Sequence, residues 1–572
     1  MEETRPQAYL QLIVTLLNCP NGEEPQILQA NLELVDSGFL QVCEVVAENL
    51  AEEGQENHAN FLRNLASQLG QFLGMNDEED SDHSEGENPQ EYLEFIGDLW
   101  QAEDSNSNIA VIYLMLNQRQ HLLNARFAEI LQEGANNLIA QHPEAIESII
   151  GIIENLSIYI RKFPLGKRAN NIEIAIAGYH IVLNHRQPRS EKWAQTQNNL
   201  ANAYSDRIRG EKAQNIEMAI ELYNAALEVY TREAFPQDWA MTQNNLAIAY
   251  SDRIRGEKAQ NIEMAIASYN KALEVCTREA FPQDWAGTQN NLANAYRNRI
   301  RGEKAQNIES AIASYNKALE VRTREAFPEK WAMTQNNLAT AYFNRIRGEK
   351  PKNIEMAIEF YNAALEIYTR EVFPQDWAMT QNNLGEAYRN RIKGEKAENI
   401  ELAIASYHKA LEVRTRAAFP QDWAMTQNNL ANAYRDRIRG EKAQNIESAI
   451  ELYHNALTII TREAFPQGHT ETLSNLGNLY RSNQQWQLAY DTYAAAIETV
   501  ELLRGEIQSG DESKQKLAEE YNQIYLGMVE VCIKLQRYTE AIEYVERSKA
   551  RNLVELFANR DIKPKGNKLF SI

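Results

Sequence analysis

The sequence predicts an all-α solenoid of stacked helical hairpins. Trp193, Trp239, Trp285, Trp331, Trp377 and Trp423 stand 46 residues apart. Nearly identical text surrounds each, as in Phe235-Pro236-Gln237-Asp238-Trp239-Ala240-Met241-Thr242-Gln243-Asn244-Asn245-Leu246-Ala247. A fixed period of a few tens of residues marks a stacked-repeat architecture. In such arrays each unit touches only its neighbours, and the product is a long surface for holding something else. Apolar residues inside the period recur at helical spacing, and no segment alternates with strand period over a useful length.

Taken in order, residues 1–75 read as a helical region, with Leu10, Ile13, Val14 and Leu17, and again Phe61, Leu62, Leu65, Leu69 and Phe72, at helical spacing. Residues 76–89 hold no apolar anchor and are predicted to be an acidic flexible linker. Residues 90–162 form a second helical region. Extended repeats fill 163–468, two degenerate repeats fill 469–553, and 554–572 is a tail. Residues 1–100 contain 21 acidic and 2 basic residues, so most of the net charge of −22 sits at that end. A near-neutral array behind an acidic head is a poor binder of nucleic acid. No apolar run reaches 18 residues, which argues against a membrane span. The start, Met1-Glu2-Glu3-Thr4-Arg5, lacks a basic signal-peptide region. Cys19, Cys43, Cys276 and Cys532 lie far apart without a CxxC pair, which fits a reducing cytoplasm.

Within one unit, Trp239, Leu246, Tyr250 and Ile254 fall on one helical stripe. Pro236 suits the first turn and Asp238 favours the helix dipole there. Arg253 and Arg255 are expected in the last turn, with Gly256 as the C′ cap. After a polar loop over 257–260, Asn261 is expected to cap a second helix carrying Ile262, Ala265, Ile266, Tyr269, Ala272 and Leu273. The residues Asn171 to Tyr179 match Asn215 to Tyr223, so a second helix appears before the first repeat Trp. The Trp series is read as packing at repeat joints.

Leu246-Ala247-x2-Tyr250, followed by Ala265, Tyr269 and Ala272, resembles the tetratricopeptide pattern, with Gln243 in the pattern's Trp place. The resemblance implies a tetratricopeptide-type solenoid wound as a right-handed superhelix. The period exceeds that of the usual repeat by 12 residues, six assigned to the loop between helices and six to the join between repeats. The text Thr242-Gln243-Asn244-Asn245-Leu246-Ala247 also resembles kinesin light chain repeats, which implies peptide binding. Recurring phrases such as Ala280-Phe281-Pro282-Gln283-Asp284-Trp285 are similar to cyanobacterial tetratricopeptide proteins often fused to a caspase-like CHAT domain. Residues 538–557 look like the helix leading into that domain. The chain stops at Ile572, so the expectation is that the catalytic domain is missing.

The foremost candidate site is a ladder of paired asparagines: Asn198/Asn199, Asn244/Asn245, Asn290/Asn291, Asn336/Asn337, Asn382/Asn383 and Asn428/Asn429. Asn is a mediocre helix former, so six doubled Asn in helix interiors need a reason. Its amide both donates and accepts, matching a peptide backbone. The alternative is that one Asn of each pair stiffens the array. Two further positions vary while their surroundings hold: Asn202, Ile248, Asn294, Thr340, Glu386, Asn432, and Ser205, Ser251, Arg297, Phe343, Arg389, Arg435. Variation on a common grip fits side-chain selection, with Arg297, Arg389 and Arg435 as charged contacts; drift at exposed sites is the alternative. The Arg255-Gly256-Glu257-Lys258 loops, with alternating signs, read as solvated. Cys276, His408 and His454 are variants of repeat positions, and no nucleophile–base pair, phosphate loop or metal cluster stands out. The sequence therefore predicts a non-catalytic scaffold without cofactor or metal that binds a protein or extended peptide, and no nucleic acid or membrane. It also allows a sensor role in a signalling or protease system. The rival is a truncated CHAT-type peptidase.

Overall fold

A computed structural model gives the fold. It describes residues 89–104, 109–506 and 511–559, together with residues 12–16 and a few single positions before 63. Apart from those positions, the expected helical region 1–75, the acidic linker before Pro89 and the end of the tail lie outside the described residues. The described residues form helices and connecting turns, with no strand among them. The chain divides into two compact units, one of residues 82–372 with 390–393, the other of 1–81, 373–389 and 394–572.

In the first unit, α1 (Pro89–Asp104), α2 (Ile109–Gln118), α3 (Ala125–Gln141) and α4 (Ile146–Lys162) share an apolar core that includes Tyr92, Phe95, Leu116, Phe127 and Ile153 and reaches Ile174 and Val182 of α5 (Arg168–His185). α4 and α5 already pair as a hairpin, with Gly166 at positive φ between them. The hairpins α6–α7 (Glu191–Asp206, Lys212–Leu227), α8–α9 (Pro236–Asp252, Lys258–Leu273), α10–α11 (Pro282–Arg297, Lys304–Leu319) and α12–α13 (Pro328–Phe343, Lys350–Leu365) follow. Leu246, Ala247 and Tyr250 of α8 close on Ile262, Ala265, Ile266 and Tyr269 of α9, and on Tyr223 of the preceding hairpin. The Ala positions let helix axes approach, and the Tyr rings supply most of the buried area. Trp193 and Trp239 are half-buried at a joint with Ala194, Tyr230 and Phe235.

The second unit repeats the plan with α14–α15 (Pro374–Arg389, Lys396–Leu411), α16–α17 (Pro420–Asp436, Lys442–Leu457), α18–α19 (Pro466–Ser482, Trp486–Glu506) and α20–α21 (Asp511–Lys534, Tyr538–Asn559). Its last hairpins share Tyr453, Leu476, Tyr493, Met528, Cys532 and Tyr544. α21 runs unbroken past residue 553.

Helix ends depart from the sequence expectation. α8 stops at Asp252, and Arg253 is an extended C-cap rather than a last-turn residue. Gly256 lies four residues beyond that end, at φ +79. A Cβ there would make only an ordinary contact, 3.8 Å from Asn261 Oδ1, so backbone conformation alone calls for glycine. α9 starts at Lys258, and Asn261 sits inside it instead of capping it. The Asn261 Nδ2 donates back to the Arg253 and Arg255 carbonyls at 3.3 and 2.9 Å. A terminal amide carries two N–H groups, so one side chain satisfies two loop carbonyls that the helices leave unpaired. Asn307 and Asn353 repeat the arrangement.

Arg253 is free to leave the helix because its guanidinium clamps the previous hairpin. Nε and Nη2 meet the two oxygens of Glu217 at 2.8 and 2.7 Å. Arg207–Glu173, Arg299–Glu263, Arg345–Glu309 and Arg391–Glu355 are bidentate in the same way, as is Arg437–Glu401 in the second unit. Hydrogen bonds from these arginines hold Glu217, Glu263, Glu309, Glu355 and Glu401 below the ordinary glutamate value of 4.5. A depressed folded-state value means the contribution is complete above that ordinary value and is lost as pH falls through the folded one. At about 0.5–1 kcal/mol for each partly exposed pair, the clamps together contribute roughly 3–6 kcal/mol. Circular dichroism melts are expected to give a level melting temperature from about pH 7 to pH 5 and a fall below pH 4.5. A level curve down to about pH 3 would show that the clamps contribute nothing.

Candidate functional site

On α8 the residues Gln237, Met241 and Ile248 are exposed, with Asn244 and Asn245 half-buried between them. Steps of four, three and four place Gln237, Met241, Asn244 and Ile248 in one row along the helix. Met241 is 47% exposed and Met425, its counterpart in the second unit, 48%. The Gln and Met of this row are functional candidates that reasoning from the sequence missed. Four of the six units carry Gln and four carry Met at these places, and the 4-3-4 step around the Asn pair was the available signal.

The first Asn of a pair is buried at Asn198, Asn290, Asn336 and Asn382 and half-buried at Asn244 and Asn428; the second is half-buried in all six. In the first unit their amides form one directed chain. Asn337 Nδ2 donates to Asn290 Oδ1 at 3.5 Å, Asn290 to Asn291 at 3.4 Å, and Asn291 to Asn244 at 3.5 Å. Asn244 then donates to Asn245, and Asn245 to Asn202, each at 3.3 Å. In the second unit Asn429 donates to Asn382 and Asn382 to Asn383. Thr242 and Thr334 add hydroxyl bonds to Asn198 and Asn290. Within each unit the ladder thus links neighbouring hairpins, while the second amides still reach the surface.

The first variable position has a definite internal task. Tyr223, Tyr315 and Tyr453 hydroxyls donate to Asn202, Asn294 and Asn432 at 2.7, 2.5 and 2.7 Å. Tyr361 pairs with Thr340 and Tyr407 with Glu386. These side chains vary among groups able to accept a phenolic proton, and Ile248 is the member that cannot. At the second variable position, Arg389 grips Glu386 and reaches Asp436 Oδ2 at 3.0 Å, and Arg435 Nε meets Asp436 Oδ1 at 3.0 Å. Arg297 is half-buried on α10. The glutamine before the Asn pair is buried in five units and half-buried at Gln335. The Oε1 atoms of Gln197, Gln243, Gln289, Gln335 and Gln427 find no hydrogen-bond partner among the described residues.

Two cavities open on the exposed row. One of about 220 Å³ is lined by Gln237, Met241, Asn244, Gln283, Gly287 and Asn291, with Cys276, Arg322 and Lys330 at its floor and rim. The other, of about 570 Å³ in the second unit, is lined by Gln421, Met425, Asn428, Asn429, Gln467, Gly468 and Glu471, with Ile460 and Phe465. The same repeat positions build both.

The Sel1 repeat family matches residues 194–228, 332–366, 378–412 and 424–457, and the Tetratricopeptide repeat family matches residues 285–325. Each match falls on one hairpin described above. The matched hairpins are repeats of the tetratricopeptide and Sel1 type. No curated protein matches the chain. Among solved structures, it is similar to a STAND signal-transduction ATPase with a tetratricopeptide repeat sensor from Pyrococcus horikoshii, at 12% identity over 78% of this chain and 68% of that one, with a TM-score of 0.43. It is similar to a Rap protein complexed with competence and sporulation factor at 13% identity, over 76% of this chain and 99% of that one, with a TM-score of 0.37. It is also similar to human IFIT1, solved as a dimer with m7Gppp-AAAA, at 15% identity over 87% and 95% of the two chains, with a TM-score of 0.32.

Among the other reactive side chains, Cys276 is buried, His469 half-buried and His454 exposed. Burial pushes the Cys276 thiol up to about 11, with Asp284 adding to the shift, which disfavours a thiolate. His454 Nε2 lies 3.3 Å from the Tyr480 hydroxyl. His469, in the seventh Trp place, has its Nδ1 at 3.2 Å from Thr499 Oγ1. Among the described residues no cluster of metal-ligating side chains forms, and no helix is long and apolar enough to cross a membrane.

Proposed function

We propose that the exposed row on the first helices holds an extended peptide or protein segment, so that the chain works as a non-catalytic binding scaffold. One observation carries this reading: two cavities far apart in sequence are built from the same repeat positions, alternating Gln and Asn amides with Met. Amides match the donors and acceptors of a peptide backbone, and Met adapts to varied apolar side chains. The contact set comprises the half-buried Asn199, Asn245, Asn291, Asn337, Asn383 and Asn429, with Asn244 and Asn428. Arg297, Arg389 and Arg435 extend it, the last two already tied to carboxylates. In this reading the array is the recognition half of a signalling or protease system, as its resemblance to CHAT-associated repeat proteins implies.

Selection of a displayed peptide library on the full chain tests it. Several weak bonds must offset the ordering of the peptide, so affinity of the order of 1 μM is expected. Met241→Lys and Met425→Lys together should weaken the selected peptide at least about tenfold, since each adds a charge and a desolvation cost to the row. Both side chains are exposed, so the melting temperature should hold. Unchanged affinity in the double variant would place the binding surface elsewhere.

A further inference from the structure

Two units bury an arginine at the same repeat position, and their surroundings differ around Arg322. This residue follows α11 and is only 7% exposed. Its hydrogen bond among the described residues runs from Nη1 to Thr334 Oγ1 at 3.1 Å. Arg414 holds the same place in the second unit and bonds Thr426 Oγ1 at 3.2 Å. Arg414 also has a counter-ion, with Nη2 3.4 Å from Asp422 Oδ1. In the Arg322 unit the residue corresponding to Asp422 is Lys330. A buried guanidinium has therefore lost its carboxylate, and a second cation stands in that carboxylate's place.

The neighbouring helix changes in step. Four of the six units place Met at the position where α10 has Gly287: Met241, Met333, Met379 and Met425. A Cβ at residue 287 would lie 3.5 Å from Arg322 Nη2, so the missing side chain uncovers that nitrogen. The space is the cavity of about 220 Å³ on the exposed row, lined by Arg322, Lys330, Gly287, Met241 and Asn291. Asp284 also lines it and acts electrostatically on Cys276, as one of the influences raising that thiol. A buried cation without a carboxylate counter-ion is costly, and a carboxylate matches the guanidinium fork better than any neutral group.

We propose that this cavity is a carboxylate pocket, in which Arg322 Nη2 and Lys330 Nζ receive an acidic side chain of the segment held on the row. The proposal rests on the peptide-binding reading for the source of the carboxylate, and its chemistry can be tested without a peptide. N-acetylglutamate α-amide and its neutral isostere N-acetylglutamine α-amide are titrated calorimetrically into the full chain. The acid should bind saturably and at least tenfold more tightly than the isostere. Lys330→Asp restores the pairing seen at Arg414, and Gly287→Met restores the side chain of the sister units. Either should reduce acid binding at least tenfold, and Lys330→Asp should raise the melting temperature. Equal binding of acid and isostere, or acid binding untouched by both variants, overturns the pocket. The peptide-binding reading fails separately: acid binding with the expected variant response, but no peptide retained in library selection, leaves the pocket standing as a site for a free organic acid. Selected peptides whose affinity ignores both variants overturn the pocket and keep the row.

Discussion

Replacing Asn290, Asn336 and Asn382 with Ala is expected to lower stability by about 2–4 kcal/mol in sum, while Ala at Asn291, Asn337 and Asn383 weakens peptide binding instead. The first three are 2%, 3% and 8% exposed. Removing Asn290 takes the acceptor from the half-buried Asn337 amide and the donor from Asn291 Oδ1, and leaves the Thr334 hydroxyl only the Lys330 carbonyl to donate to. Each such loss costs about 1–3 kcal/mol, and the gain in helix propensity returns about 0.5 kcal/mol. Adjacent helix residues point about 100° apart, and the second Asn is half-buried in all six pairs, so its amide reaches the surface beside the row. Two measurements decide: urea unfolding of both triple variants, and titration with a selected peptide. If the buried register loses binding without losing stability, the ladder is a contact surface and its role as a joint is wrong. If neither triple variant changes affinity, the Asn pairs are structural alone.

The period, the hairpins and the buried stripe were legible because nearest-neighbour packing writes the same burial pattern into every unit. Pro236 opens its helix as the sequence implies, but the ends flanking the loop between helices were not legible. Asn261 has the residue type of a cap and Arg253 that of a last-turn cation, yet both serve contacts across loops and hairpins: Asn261 to two carbonyls behind it, Arg253 to Glu217 on the previous hairpin. The Asn pairs stood out as a position, but the direction of their hydrogen bonds depends on amides 47 residues away. The variable series from Asn202 to Asn432 was visible as variation. Its meaning needed the Tyr hydroxyl always 21 residues further on, from Tyr223 to Tyr453. Most units carry Met and Asp at the places of Gly287 and Lys330, and the place of Arg322 varies, with Tyr230, Cys276, Tyr368 and Arg414. Only the packing of α10 beside the end of α11 shows that the three residues meet.

Excising Trp285 to Lys330, one whole unit, is expected to leave a folded, cooperatively melting helical protein. The cut joins Asp284 to Trp331 and regenerates the phrase that opens every repeat. Arg345 then stands where Arg299 clamps Glu263, and Asn337 stands where Asn291 donates to Asn244. The next hairpin thus replaces every inter-hairpin bond lost on one side. Stability in such arrays is approximately a sum of unit and nearest-neighbour terms, so one of each is removed and the melting temperature falls by a few degrees. Helix content per residue, read by circular dichroism, should match the full chain. Carboxylate binding should vanish, because Gly287, Arg322 and Lys330 leave together, while a peptide selected on the second-unit row should still bind. A shortened chain that loses its helix signal would mean that units hold each other through contacts beyond their neighbours, and the additive picture of the array would fall.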